Sequence, residues 1–239
     1  MTESPVVRDR LGDVEIIRLN RPEKRNALDS ASLALLNDAL DDVAADDTVR
    51  ALVLSTTDPT AFCAGADVGE KLDRAGGVAR MAAFTRLYAA LDAMPVPMVA
   101  ACVGNCVGAG AEIVAAADLR AGGDNLKLAW AGARHGVPVG PARLAPLIGL
   151  ARAKDLVLTG RTVGAEEAEK LGLLTTRGPA AEVDQVALAL ALTIAANNPG
   201  GIRVLKQMFR ELDGSAQRVA YENERLMRFQ QDGTGLPRG

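Results

Sequence analysis

The stretch Pro95-Val96-Pro97-Met98-Val99-Ala100-Ala101-Cys102-Val103-Gly104-Asn105-Cys106-Val107-Gly108-Ala109-Gly110-Ala111-Glu112 carries the reading of the fold. Two prolines lead into an unbroken apolar run, Met98 to Val103, as expected of a strand buried on both faces. Glycines follow, and then an alanine-rich helix expected from about Ala111 to Ala117. The same punctuation recurs upstream. Ala51 to Leu54 is a second buried strand, followed by a glycine-containing loop, Ala61 to Gly69, and a helix with Phe84, Leu87 and Leu91 on one face. Val6 to Asn20 reads as a hairpin turning at Leu11-Gly12-Asp13. Asp29 and Ser30 are good helix caps for the stripe Leu33, Leu36, Leu40 and Val43. Strand and helix thus alternate through the first half, which implies an α/β fold with a mostly parallel sheet.

From Ala142 onward the pattern is helical. Glu166 to Glu169 opens a short helix, Val183, Val186, Leu190 and Ile194 line another, and Pro199-Gly200-Gly201 interrupts the chain. Two amphipathic helices are then expected, from about Ile202 to Leu212 and Ala216 to Phe229. The core is accordingly placed at residues 1–177 and a helical segment at 178–239.

Composition narrows the function. The chain has 239 residues, 49% hydrophobic and 24% charged, which suits one domain with a large core. Aromatics are only 3%, so Ala, Leu and Val must fill that core. A net charge of −3 offers no basic stripe for nucleic acid. Three cysteines without paired spacing and a single histidine, His135, argue against a zinc site and for reduced thiols. Met1 to Arg10 lacks the apolar core of a secretory signal, and no apolar run approaches the ~18 residues of a membrane span. A cytoplasmic protein with no nucleic-acid or membrane partner is the expectation.

The chemistry rests on the two glycine-containing loops. Each follows a buried strand and leads toward a helix, whose first turn offers unpaired N–H groups and the positive end of a dipole. Two such loops facing one pocket can hold negative charge developing on an oxygen. Glycine and alanine suit them because they let a ligand approach the backbone. Gly108-Ala109-Gly110 lacks the later glycine of a dinucleotide fingerprint, and no Gly-Lys-Ser/Thr follows to make a P-loop.

Leu19-Asn20-Arg21-Pro22-Glu23-Lys24-Arg25-Asn26-Ala27-Leu28 resembles the N-terminal signature of the crotonase (enoyl-CoA hydratase/isomerase) family. Ala61-Phe62-Cys63-Ala64-Gly65-Ala66-Asp67 is similar to that family's first oxyanion loop, and Pro95 to Glu112 to its second. Leu158-Thr159-Gly160-Arg161, with Ala165 to Ala168 and Leu171-Gly172-Leu173, is similar to its later helical signature. These blocks occur in the family's order over about residues 5 to 210. The resemblance implies a ββα spiral core with a C-terminal helical oligomerisation segment, a homotrimer or homohexamer, and an acyl-CoA substrate. It implies no metal and no cofactor beyond the coenzyme A of that substrate.

By the same resemblance the N–H groups of Ala66 and Ala109 would form the oxyanion hole, although the family usually has glycine at the second place. Lys24, Arg25 and Ala27, together with Ala66, Asp67, Val68 and Gly69, fall where the family holds CoA. Asp67 reads equally as a residue that fixes its own loop. Cys63 and Cys106 read as small buried residues rather than nucleophiles. Glu112 falls on the first of the two catalytic glutamates of the family's hydratases, as a base on water; the plain alternative is a carboxylate that stabilises a helix N-terminus. The second glutamate's place is taken by Gly132, and no acidic residue lies between Asp124 and Asp155. Arg134 and His135 follow closely, and His135 is a candidate proton shuttle. The expected function is a hydratase-type reaction with a degenerate second carboxylate. The alternatives are acyl-CoA hydrolysis, decarboxylation or isomerisation, or acyl-CoA binding without turnover.

Overall fold

The computed structural model describes residues 4–236; the outermost residues of the two expected segments, 1–3 and 237–239, lie outside it. The hairpin forms as expected. Strands β1 (Val6–Leu11) and β2 (Val14–Leu19) pair antiparallel around Gly12, whose φ of 58° supplies the turn. Helix α1 (Ser30–Ala45) is capped by Asp29, which accepts from the Ser32 N–H at 2.8 Å. Strand β3 (Ala51–Thr56) and helix α2 (Arg74–Ala93) follow, then β4 (Met98–Cys102), β5 (Asn105–Val107) and α3 (Ala109–Ala116).

The next turn of chain supplies β6 (Leu119–Gly123), β7 (Lys127–Ala129), a 3-10 turn at Ala131–His135, α4 (Pro141–Ile148) and α5 (Leu150–Thr159). A short strand β8 (Val163–Gly164), helix α6 (Ala165–Lys170) and strand β9 (Thr176–Gly178) close the core. Six strands form one sheet in the order β1-β2-β3-β4-β6-β9, parallel throughout except at the hairpin. The smaller sheet runs β5-β7-β8. The chain therefore spirals: β4 lies in the large sheet, β5 in the small one, and α3 returns; β6 and β7 repeat this one turn later. The loop at residues 61–66 joins the small sheet through bridges Ala61↔Gly104 and Cys63↔Cys106. This is the ββα spiral.

One face of the large sheet is covered by α1 and α2, whose Leu33, Leu36, Leu40, Leu87 and Leu91 are buried. The other is covered by α7 (Val183–Ala195), which meets Val14, Ile16, Val53 and Val99. The face α7 buries is Val183, Ala187, Ala191 and Ala195, with Val186, Leu190 and Ile194 only at its margin. The stripe expected from the larger residues is thus turned partly aside, because alanine lets a helix lie closer to a sheet than leucine does.

Helix α8 (Pro199–Asp213) also begins earlier than expected. Asn198 caps it, accepting from the Gly201 N–H at 2.9 Å, and Pro199 occupies a first-turn position where its missing N–H costs nothing. Helix α9 (Ser215–Asp232) then crosses back over α2 and α4. No single helix among the described residues is long and apolar enough to cross a membrane.

Candidate active site

The two glycine loops converge. Loop 61–66 runs beside β5: the Cys63 N–H donates to Asn105 O at 3.0 Å and the Val107 N–H to Cys63 O at 2.9 Å. A Cβ on Gly65 would lie 3.0 Å from Val107 O and 3.7 Å from the Ala109 nitrogen, so the loops touch backbone to backbone. At Gly110 an added Cβ would sit 2.3 Å from Cys63 O, a spacing only glycine permits. Gly108, at φ 55° and ψ −114°, adopts a conformation that side chains avoid and turns the chain abruptly into α3.

The two candidate donors are freed by different means. Ala109 is the first residue of α3; the first intrahelical bond runs from the Glu112 N–H to Gly108 O, which leaves the Ala109 N–H without an intrahelical acceptor. Ala66 does not open a helix, since α2 starts only at Arg74. The expectation of two helix N-termini therefore holds for one loop alone. Ala66 sits instead in a parallel bridge with Leu28, whose N–H donates to Gly65 O at 2.8 Å and whose carbonyl accepts from the Asp67 N–H at 2.9 Å. In such a bridge the middle residue's own N–H points away from its partner strand. Neither N–H has an acceptor among the described residues.

Ala66 and Ala109 line one cavity of about 190 Å³. Its apolar wall includes Met81 and Phe84 of α2, Val137, Val139, and Leu226 and Leu236 from the far end of the chain. Gly132, His135 and Val68 also line it, and so does Tyr88, which sequence reasoning did not single out. Tyr88 sits one helical turn beyond Phe84, with the ring centroids 6.2 Å apart.

Glu112 is not at the cavity wall. Its side chain is wholly buried, and Oε2 accepts from Arg143 Nη1 at 2.8 Å. The same Nη1 reaches Glu222 Oε1 on α9 at 3.1 Å, and the Arg143 guanidinium carbon lies 4.6 Å over the Tyr88 ring. Glu222 Oε2 accepts from the Gly140 and Ala142 N–H groups at 3.1 and 2.9 Å, at the N-terminus of α4. Burial pushes the Glu112 carboxyl upward against the pull of Arg143. Burial, and then the neighbouring Glu112, push Glu222 up to about 7. Glu112 Oε1 and the Trp130 indole nitrogen are both enclosed and meet full hydrogen-bond geometry with no partner among the described residues, although the indole also draws the Glu112 carboxyl downward. Glu112 lies in the first turn of α3, as its helix-terminus reading has it, and Glu222 serves the N-terminus of α4 through direct hydrogen bonds. Arg143 was legible in principle, as a lone cation in the apolar run Ala142 to Leu147 that needed a buried partner. Nothing in the sequence pointed from it to Glu222, 79 residues on.

At Gly132, the site of the missing carboxylate, an added Cβ would lie 2.8 Å from Val137 O and 3.0 Å from Val139 Cγ1. The backbone there has closed over the space a side chain would need. Arg134 turns away and donates to Gly160 O at 2.7 Å, whereas His135 stays at the cavity rim.

Lys24 and Arg25 are exposed and make no ion pair among the described residues. Their segment is fixed by Asn26, whose buried side chain donates to Ala61 O at 2.8 Å and accepts from the Arg21 N–H at 2.6 Å. The Ala64 N–H donates to Arg25 O, holding these cations beside the first loop with Ala27 next in line. Asp67 binds Arg21 at 2.7 Å and accepts from the Gly69 N–H at 3.0 Å. Its partial burial would raise the carboxyl, but Arg21 and the Gly69 N–H outweigh it and hold Asp67 below the usual range. Burial pushes the Cys63 and Cys102 thiols up to about 12 and raises Cys106 well above its ordinary value, so none is a thiolate at neutral pH. No group of three or more His, Cys, Asp or Glu among the described residues could hold a metal.

Comparison with known proteins gives the family and the fold. The family profile described as enoyl-CoA hydratase/isomerase matches residues 10–232. A Bacillus subtilis (strain 168) protein bearing an enoyl-CoA hydratase/isomerase name is 34% identical over 203 residues, covering 80% of this chain and 75% of its own. The short-chain-enoyl-CoA hydratase of Clostridium acetobutylicum is 28% identical over 211 residues, covering 84% of this chain and 79% of its own. The crystal structure of an enoyl-CoA hydratase from Bacillus anthracis superposes with a TM-score of 0.81 at 26% identity, covering 98% of this chain and 99% of that one.

Proposed function

Because the chain belongs to the enoyl-CoA hydratase/isomerase family, we propose that it polarises the thioester carbonyl of a short acyl-CoA in a hydratase-type reaction. The observation that carries this is the pair of unengaged N–H groups, Ala66 and Ala109, on one cavity of about 190 Å³. Enolate-like charge on the thioester oxygen would be held between them, in a largely apolar surround where such donors are worth most. Lys24 and Arg25, exposed and without ion-pair partners, suit the CoA phosphates. Ala27 and the stretch Asp67 to Gly69 would border the rest of the cofactor portion of the substrate. The relative from Clostridium acetobutylicum, a short-chain hydratase by name, agrees with the small cavity.

Glu112 remains the only carboxylate at a family catalytic position, and in this reading it handles the water. Its salt link to Arg143 and its distance from the wall make hydration slow. The closed backbone at Gly132 favours a second reading, a thioester reaction that needs the oxyanion hole but no carboxylate pair, such as hydrolysis or decarboxylation. His135 at the rim is its candidate proton shuttle. Incubation with crotonyl-CoA and a panel of saturated and substituted acyl-CoAs, following both loss of the double bond and release of free CoA, separates the readings. Hydration at a rate unchanged by Glu112→Gln removes Glu112 from the mechanism. No turnover of any member, with tight binding, leaves an acyl-CoA-binding protein.

Assembly into a homotrimer or homohexamer belongs to the same proposal. Helix α8 buries none of its residues and exposes Val204, Leu205, Met208, Phe209 and Leu212, a patch a solitary chain rarely carries. A cytoplasmic setting is consistent with the free, buried cysteines.

A further inference from the structure

The cavity contains one polar group that the proposed reaction does not use. Tyr88 is 96% enclosed, being 4% exposed, and that remaining surface opens on the cavity. Its hydroxyl has no hydrogen-bond partner among the described residues, and it is not among the atoms sealed away from solvent. A buried phenol normally finds a partner, so an unpartnered one lining a binding cavity is a donor open to a ligand oxygen. The ring cannot easily swing aside, because Arg143 lies over one face and Phe84 beside it. Burial and the carboxylates of Glu112 and Glu222 push the phenol well above its ordinary value, so it stays protonated and presents a donor.

We propose that Tyr88 is a specificity-determining residue whose phenol donates a hydrogen bond to an uncharged oxygen on the acyl chain, selecting oxo- or hydroxyacyl-CoA over the unsubstituted thioester. The oxygen is uncharged because no Lys or Arg lines the cavity, and the group behind the ring holds two carboxylates against one guanidinium. An acyl carboxylate would meet no countercharge there. Apart from His135 at the rim and the two N–H groups kept for the thioester oxygen, the lining side chains are apolar, so a neutral oxygen placed away from Tyr88 would lose its water without replacement. The inference rests on the acyl-CoA reading of the site.

The test is calorimetric titration of the full chain with 3-oxobutyryl-CoA and with butyryl-CoA, before and after Tyr88→Phe. The unaltered protein should bind the oxo ligand about five- to tenfold more tightly, the range of one net hydrogen bond. Tyr88→Phe should abolish that preference while leaving the butyryl-CoA affinity within about twofold, which also reports that the variant is folded. A preference that survives the substitution, or none at all in the unaltered protein, overturns the assignment and leaves the acyl-CoA reading intact. If neither thioester binds, both fall. An independent readout needs no variant: the ketone stretch of 3-oxobutyryl-CoA, isotopically labelled at that carbon, should move to lower frequency on binding. An unshifted band overturns the proposal.

Discussion

The loop corner of the cavity and the charged corner behind its wall are built from different materials. At one, Ala66 and Ala109 present main-chain N–H groups aimed by a β-bridge, a left-handed glycine and a helix start. At the other, everything depends on individual side chains: Glu112, Arg143, Glu222, and Gly132 where a carboxylate is absent. The backbone corner keeps the arrangement expected from the family resemblance even though glycine has become Ala109, because any residue but proline brings an N–H. The side-chain corner is organised around Arg143. A site made of peptide N–H groups asks only that a residue not be proline, whereas one made of two carboxylates needs both side chains.

The sharpest way to break the backbone corner is Gly104→Ala. Gly104 has φ 52°, and an added Cβ would lie 1.8 Å from Thr60 O, so a loss of more than about 4 kcal/mol is expected in urea denaturation. The corresponding blow to the side-chain corner is Arg143→Met. It leaves Glu112 and Glu222 buried together without their cation and should cost roughly 3–5 kcal/mol at pH 8 by the same measurement. Ala109→Pro removes a single N–H at a helix position that accepts proline. It should lower kcat/KM on the preferred thioester by ~10²–10³ while stability changes by less than about 1 kcal/mol.

The shared charges also predict a pH dependence. Glu222 titrates near 7 when folded against an ordinary 4.5, so the folded protein holds a proton that the unfolded chain releases between those values. This contribution is full below the ordinary value and is lost as pH rises through about 7. Stability should therefore fall by on the order of 2–3 kcal/mol from pH 4.5 to 8, with a flatter profile in Glu222→Gln, read from denaturation midpoints across that range. The smallest effect is the most telling: Gly132→Glu should raise crotonyl-CoA hydration by less than about twofold, since Val137 O occupies the path of the new side chain.

Much of the architecture could be read from the sequence because it is local. The run Met98 to Val103, the hairpin glycine and the Asp29 cap are each decided by neighbouring residues and emerge where expected. Helix α7 shows the limit: hydrophobic size marked Val186, Leu190 and Ile194, whereas the sheet selected the alanines beside them. Short strands such as β5, β7 and β9 went unread, since three residues carry no periodicity. In the site, the loops were legible from their glycines. The Arg143 network was not, because α3, α4 and α9 meet only in space. Nor could spacing reveal that the gap at Gly132 had been filled from the backbone side.

Glu222 lies on α9, 79 residues beyond Arg143, yet it answers the charge of Arg143 and supplies an acceptor for the start of α4. Leu226 and Leu236 complete the cavity from the same stretch. Without α9, Arg143 keeps Glu112 alone as its counterion, the start of α4 loses its side-chain acceptor, and the chamber stands open on one side. The chamber is walled, and α4 capped, only once α9 has docked, so the seating of one helix completes both.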